Sequence, residues 1–268
     1  MLGLGRCMPP MPQRIMGNKY SMYFDGVNDY GEIENNNVMT PTDSSDGFTV
    51  SYWFAQRGGT VGTHFQIANT GVENVAYFRI ESDPNRKIKV TFNNESDDTT
   101  VITGATTLDL NKWYFITVML GGEGTATMKL YINGTHELIT GTAGLESGWY
   151  DAGLFYGTFG AHSVKSGDGW GGAEVGLLNC YIDQFSWTNK QFTEELIKQI
   201  YYAHSEFDFL TVTNYYTSTF KDELKTWYST TSGWNGSNFV KSEVHPSITR
   251  AGVTFVNGAT TASKTPRD

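Results

Sequence analysis

Residues 20–34, YSMYFDGVNDYGEIE, read as two short strands joined by a tight turn, and this stretch constrains the fold more than any other. Tyr23 and Phe24 close an apolar strand. Asp25-Gly26-Val27-Asn28-Asp29 gathers residue types that tolerate positive φ or bond their own backbone, and Tyr30 opens the return strand as the second half of a hairpin. Such a unit must find a partner sheet, because an isolated pair of strands buries too little apolar surface to stand alone. Later segments supply it. Phe48, Val50, Tyr52 and Phe54 alternate with Thr49, Ser51 and Ala55, and Ile88, Val90 and Phe92 alternate with Lys87, Lys89 and Thr91. That period of two marks half-buried strands. Residues 113–120 are apolar on both parities, as a central strand covered on both faces would be. Turn signals recur at Asn69-Thr70-Gly71, Ser82-Asp83-Pro84-Asn85, Gly121-Gly122-Glu123-Gly124 and Asn133-Gly134.

One helix is predicted, with Thr193 as N-cap, Glu194 and Glu195 in its first turn, and Leu196, Ile197, Ile200 and Tyr201 facing the sheet. The expectation is an all-β chain. Two antiparallel sheets pack as a β-sandwich with jelly-roll connections, and a single short helix follows the last strand. Its buried positions include Phe48, Val50, Ile88, Val90, Phe115, Ile182 and Phe185. The organisation is an N-terminal arm over residues 1–19, the sandwich over 20–204, and a C-terminal extension over 205–268.

Four segments, in order, resemble a known family. They are the YFDG…NDY opening at 23–30, Gly47-Phe48-Thr49-Val50-Ser51-Tyr52-Trp53-Phe54, the pair Asn111-Lys112-Trp113-Tyr114-Phe115-Ile116-Thr117-Val118 and Leu130-Tyr131-Ile132-Asn133-Gly134, and the closing Cys180-Tyr181-Ile182-Asp183-Gln184-Phe185-Ser186-Trp187 with its helix. Together they resemble the laminin-G-like, concanavalin A-like lectin/glucanase jelly-roll superfamily, of the type found in phage and marine-virus structural proteins. The resemblance implies the two-sheet fold. It also implies one Ca²⁺ ion as the candidate cofactor, with Asp25, Asp29 and Asp183 at the positions of the family's usual acids, although no cofactor is required by the residues themselves. A hard cation wants six to eight oxygens, and acids in turns also cap their own backbone, so both roles stay open.

A formal net charge of −9 argues against a polyanion partner, because neutralising phosphates takes clustered Lys and Arg. Nucleic acid is therefore not expected, nor is a membrane, since no apolar run approaches the roughly 20 residues needed to span one. Residues 1–18 carry four of the eight methionines and three of the seven prolines, without the continuous apolar centre of a secretory signal. They read as an assembly arm. Leu2, Leu4, Met8, Met11, Ile15 and Met16 are its anchors on a neighbouring subunit or virion protein, and Pro9, Pro10 and Pro12 restrict its φ angles. The extension either packs on the sandwich or contacts a neighbour.

Catalytic signals are absent. Cys7 and Cys180 have no redox or ligand spacing and read as structural, the five histidines are scattered, and Gly144-Leu145-Glu146-Ser147-Gly148 displaces the serine of a nucleophile elbow. Jelly-roll glucanases need paired carboxylates, and Glu32-Ile33-Glu34 lacks the final acid and lies in the wrong strand. Trp149, Tyr150, Phe155, Tyr156 and Trp170 are candidate glycan or partner contacts, since aromatic rings can stack on sugar faces or pack an interface. The expectation is a non-enzymatic structural protein of a virion, in a decoration, capsid-associated or tail position of a tailed phage. It would contact copies of itself or other virion proteins and carry glycan-adhesive loops. The alternative is an extracellular carbohydrate-binding lectin or adhesin module, and a glycoside hydrolase comes third.

Overall fold

A computed structural model describes residues 21–33, 47–69, 77–93, 99–121, 127–141, 155–166, 169–188, 190–203, 224–228, 253–256 and 260–262. In chain order the elements are β1 (Ser21–Asp25), β2 (Tyr30–Ile33), β3 (Phe48–Gln56), β4 (Gly62–Asn69), β5 (Tyr77–Ser82), β6 (Lys87–Asn93), β7 (Thr99–Thr107) and β8 (Tyr114–Leu120). Then come β9 (Met128–Ile132), β10 (Thr135–His136), β11 (Ile139–Gly141), β12 (Phe155–Phe159), β13 (His162–Ser166), β14 (Gly169–Val175) and β15 (Asn179–Thr188). Helix α1 (Glu194–Ala203) follows, and β16 (Leu224–Tyr228), β17 (Val253–Val256) and β18 (Thr260–Ala262) complete the series. Sheet 1 runs β10-β9-β8-β3-β15-β1-β18, with β16 also on β15, and sheet 2 runs β11-β7-β6-β5-β4-β12-β2-β17. The hairpin β13–β14 stands apart from both. The fold is the expected antiparallel sandwich.

The first turn has the expected chemistry but a different role. Asp25 Oδ1 accepts the N–H groups of Val27 at 2.7 Å and Asn28 at 3.3 Å, and Asp29 Oδ2 accepts that of Asp25 at 3.2 Å. Gly26 sits at φ +77°, and a Cβ there would lie 2.5 Å from the Asn179 nitrogen. Yet β1 and β2 are not a hairpin. β1 pairs with β15 and β18 in sheet 1, while β2 pairs with β12 and β17 in sheet 2. The turn carries the chain from one sheet to the other, with Met22 and Phe24 of β1 in the core between them. Turn residues satisfy the backbone equally well in either connection.

Between the sheets the core is strongly aromatic. Phe48 stacks on Trp187 at 4.3 Å, Phe78 meets both rings edge-on, and Phe65 lies 4.6 Å from Phe185. All seven expected buried positions are buried. Phe115, however, faces away from the sandwich. With Trp53, Met119 and Tyr131 it forms a second cluster, which Phe192 and the Leu196, Ile197 and Ile200 face of α1 cover. This accounts for the two apolar parities of β8, whose seven residues are all buried. Thr193 Oγ1 accepts the Leu196 N–H at 3.2 Å, so the N-cap is formed, and Thr193→Ala is expected to lower stability by about 1 kcal/mol in urea unfolding. The C-terminal extension contributes β16, β17 and β18, each paired into a sheet of the sandwich.

Candidate functional site

Sheet 2 turns Phe65, Ile67, Phe78, Ile80, Val90, Phe92 and Ile102 inward, so the alternate residues form its outer face. One row across that face reads Glu32, Thr158, Gln66, Arg79, Thr91 and Val101. The neighbouring row reads Thr63, Glu81, Lys89 and Thr103. On the other side run Tyr156, Ala68, Tyr77, Asn93 and Thr99. The face is polar through its centre, where Gln66, Thr91 and Asn93 are each at most 3% exposed.

Three charged side chains organise it. Glu81 Oε2 is 3.0 Å from Arg79 Nε and 3.4 Å from Lys89 Nζ, and the Arg79 guanidinium carbon stands 5.1 Å over the Tyr77 ring. His162, at the start of β13, shares a 2.7 Å hydrogen bond between its Nδ1 and Thr63 Oγ1. Burial, with the Arg79 and Lys89 charges adding to it against Glu81, holds the His162 pKa down to about 4. At neutral pH His162 is therefore an uncharged hydrogen-bonding group. Fixed donors and acceptors beside an aromatic ring suit a ligand rich in hydroxyl groups, because each of its polar atoms needs a partner once water is excluded.

A buried polar chain links the two sheets behind this face. A bulge in β4 between Thr63 and Phe65 lets both His64 and Phe65 point inward. Ser82 Oγ donates to Gln56 Oε1 at 3.0 Å, so it accepts from His64 Nε2 at 2.8 Å, and Tyr52 Oη then donates to His64 Nδ1 at 2.9 Å. Gln56 Nε2 ends the chain on the Gly58 and Gly59 carbonyls. The His64 ring stacks on Phe54 at 3.6 Å, and complete burial lowers its pKa to about 3. Sequence reasoning missed both His64 and the Arg79–Glu81–Lys89 group. A histidine beside an aromatic run was a weak signal for the first, and the outward parity of β5 and β6 a better one for the second.

The sequence-derived candidates are scattered. Asp25 and Asp29 share the first turn, where their oxygens cap backbone N–H groups, and burial raises the Asp29 pKa. Asp183 is buried and accepts the Gln184 N–H at 2.8 Å, at a bulge where Gln184 adopts φ +51°. Register sets Asp25 opposite Asn179, which puts Asp183 four residues, about 13 Å, along β15. The three acids do not share a site, and among the described residues no group of three or more His, Cys, Asp or Glu side chains could hold a metal. The described residues thus do not fit the Ca²⁺ site that the resemblance implied. Phe155 and Tyr156 fall on β12 opposite Asn69 and Ala68, which sets Tyr156 in a row of the outer face, and Trp170 falls on β14 opposite Lys165. Trp149, Tyr150 and the arm residues Leu2, Leu4, Met8, Met11, Ile15 and Met16 lie outside the described residues, as does Cys7. Cys180 is free and buried, and burial raises its thiol pKa far above the ordinary range.

Two antiparallel sheets face to face, a short helix after the closing strand and a polar outer sheet face define a lectin-like jelly roll. The chain belongs to the concanavalin A-like lectin/glucanases superfamily, whose family model matches residues 24–198. Among solved structures it is similar to a putative carbohydrate binding protein from Bacteroides ovatus, with 16% identity and a TM-score of 0.56 over 92% of this chain and 60% of that one. It is also similar to a heptameric SAP-like pentraxin from Limulus polyphemus, with 14% identity and a TM-score of 0.51 over 69% of this chain and 82% of that one. At such identities the likeness is one of fold. No curated protein matches the sequence.

Proposed function

We propose that this protein binds carbohydrate without transforming it, and that the outer face of sheet 2 is the binding surface. The observation that carries this reading is the array of Tyr77, Arg79, Glu81 and Lys89 set in register on two adjacent strands. Strands hold such side chains more rigidly than loops do, and a site built to bond hydroxyls rejects ligands that lack them. Family membership and the Bacteroides ovatus relative's description as a putative carbohydrate binding protein support it.

Binding without turnover is supported by the spacing of the acids described on this face. Glu32 and Glu81 stand on strands three steps apart, about 14 Å, which is wider than the roughly 5 to 9.5 Å that glycosidase carboxylates need. Glu81 is, moreover, held by two cations. A place on a virus particle rests on residues 1–18 and on the resemblance of the extension at 205–268, most of which lies outside the described residues. Glycan binding is the reading that the sandwich itself supports. Printed oligosaccharide arrays probed with the labelled full chain test it: retention on a defined group of glycans, left chemically intact, is expected, and uniform absence of retention overturns it.

A further inference from the structure

Within that surface one group has donors that no described residue uses. Arg79 bonds Glu81 through Nε only, so the two terminal nitrogens of its guanidinium make no hydrogen bond among the described residues. The group is nevertheless fixed, by Glu81 Oε2 on one side and by the Tyr77 ring beneath it. Directly across the β5–β6 ladder stands Thr91, whose Oγ1 is buried and has no hydrogen-bond partner. A buried hydroxyl left unpaired is costly, and a ligand oxygen would relieve it. Lys89 lies one row away and adds a second positive charge, so that two cations face one carboxylate at the centre of a chain whose net charge is −9.

We infer that the Arg79–Lys89–Thr91 group is a subsite for a carboxylated sugar, a uronate residue within an oligosaccharide. A pinned guanidinium with its outward edge free matches a planar carboxylate, which can take two parallel N–H donors where a neutral hydroxyl takes one. Thr91 is placed to bond a neighbouring ring or hydroxyl oxygen, and Lys89 adds attraction without demanding one geometry. The inference rests on the glycan-binding reading and narrows it to a ligand class.

Isothermal titration with oligogalacturonate, its carboxyl-reduced neutral counterpart and a sulfated oligosaccharide, each against the full chain, tests it. Oligogalacturonate is expected to bind about 10- to 100-fold more tightly than its neutral counterpart, the range for charge-assisted hydrogen bonds, and to weaken with added salt. Arg79→Gln should remove that advantage, lowering affinity for oligogalacturonate far more than affinity for the neutral sugar. Lys89→Gln, at a partly exposed position, should remove part of it, and Thr91→Val should lower affinity for both ligands. Equal binding of acidic and neutral sugars by the parent chain, or an acidic preference unmoved in Arg79→Gln, overturns the subsite while the glycan-binding reading stands. Preference for the sulfated sugar over the uronate also overturns the carboxylate assignment. Binding of neither class, with array retention also absent, removes both readings together.

Discussion

Trp187→Ala is expected to destabilise the protein by about 3 to 5 kcal/mol, the cost of removing a large aromatic side chain from a packed interior. Trp187 is fully buried on β15, stacked on Phe48 at 4.3 Å with 15° between the rings, and it meets Phe78 edge-on at 6.1 Å and Phe65 at 6.3 Å. Its backbone is flanked by Val50 of β3 and Thr226 of β16, so the surrounding strands cannot readily collapse into the space. Against a total stability of about 5 to 15 kcal/mol for a domain, that loss is large. Urea unfolding followed by far-UV circular dichroism measures it, and Trp187→Phe should cost markedly less because a ring still faces Phe48. A loss below about 1 kcal/mol for the alanine variant would contradict the packing described.

Acid should destabilise the protein well above the pH at which carboxylates titrate. The folded state holds His64 neutral, with its pKa lowered to about 3 by burial, whereas the unfolded chain protonates it near 6.5. Below that value the unfolded state binds more protons than the native state, so stability is full above pH 6.5 and is lost as pH falls towards 3. By pH 5 the loss from His64 alone is about 2 kcal/mol. His162, lowered to about 4, acts in the same direction with a smaller effect because it is partly exposed. Protonation would also give His64 Nδ1 a hydrogen that Tyr52 Oη cannot both meet and donate against. Urea midpoints at pH 7.5 and pH 5.0 test this, and a flat profile between them would mean that His64 is charged or accessible in the native state.

Much of the fold was legible because it obeys simple periodicities. The alternation at 48–54 and 87–92 identified β3 and β6 with their inward faces, and Thr193-Glu194-Glu195 marked the start of α1 to the residue. What failed was long-range. Asp25-Gly26-Val27-Asn28-Asp29 satisfies its own amides whether the flanking strands pair or part, and only the distant partners, β15 for β1 and β12 for β2, separate the two arrangements. The polar tail around Thr260 showed no strand signal, because Thr260-Thr261-Ala262 carries no apolar alternation and the strand is defined by its pairing with β1.

The site was less legible than the fold. Aromatic loops and turn acids attracted attention because their residue types suggest ligands, yet the acids are occupied by backbone caps. The polar face of sheet 2 depends on which residues stand side by side on strands β4, β5 and β6. Arg79 and Glu81 share one face of β5, and Lys89 follows on β6 after a turn, so only register brings the second cation to the carboxylate.

The most direct test of the account is a two-dimensional amide NMR titration of the isotope-labelled chain with an oligosaccharide retained on the array. The amides of β4, β5 and β6, including those of Gln66, Arg79, Lys89 and Thr91, should shift saturably with ligand, while those of α1 and of β8 beneath it stay in place. Shifts gathered instead on α1, or around Tyr23, Trp113 and Tyr181 on the opposite sheet, would show that the glycan binds elsewhere and would contradict the assignment of the sheet 2 face.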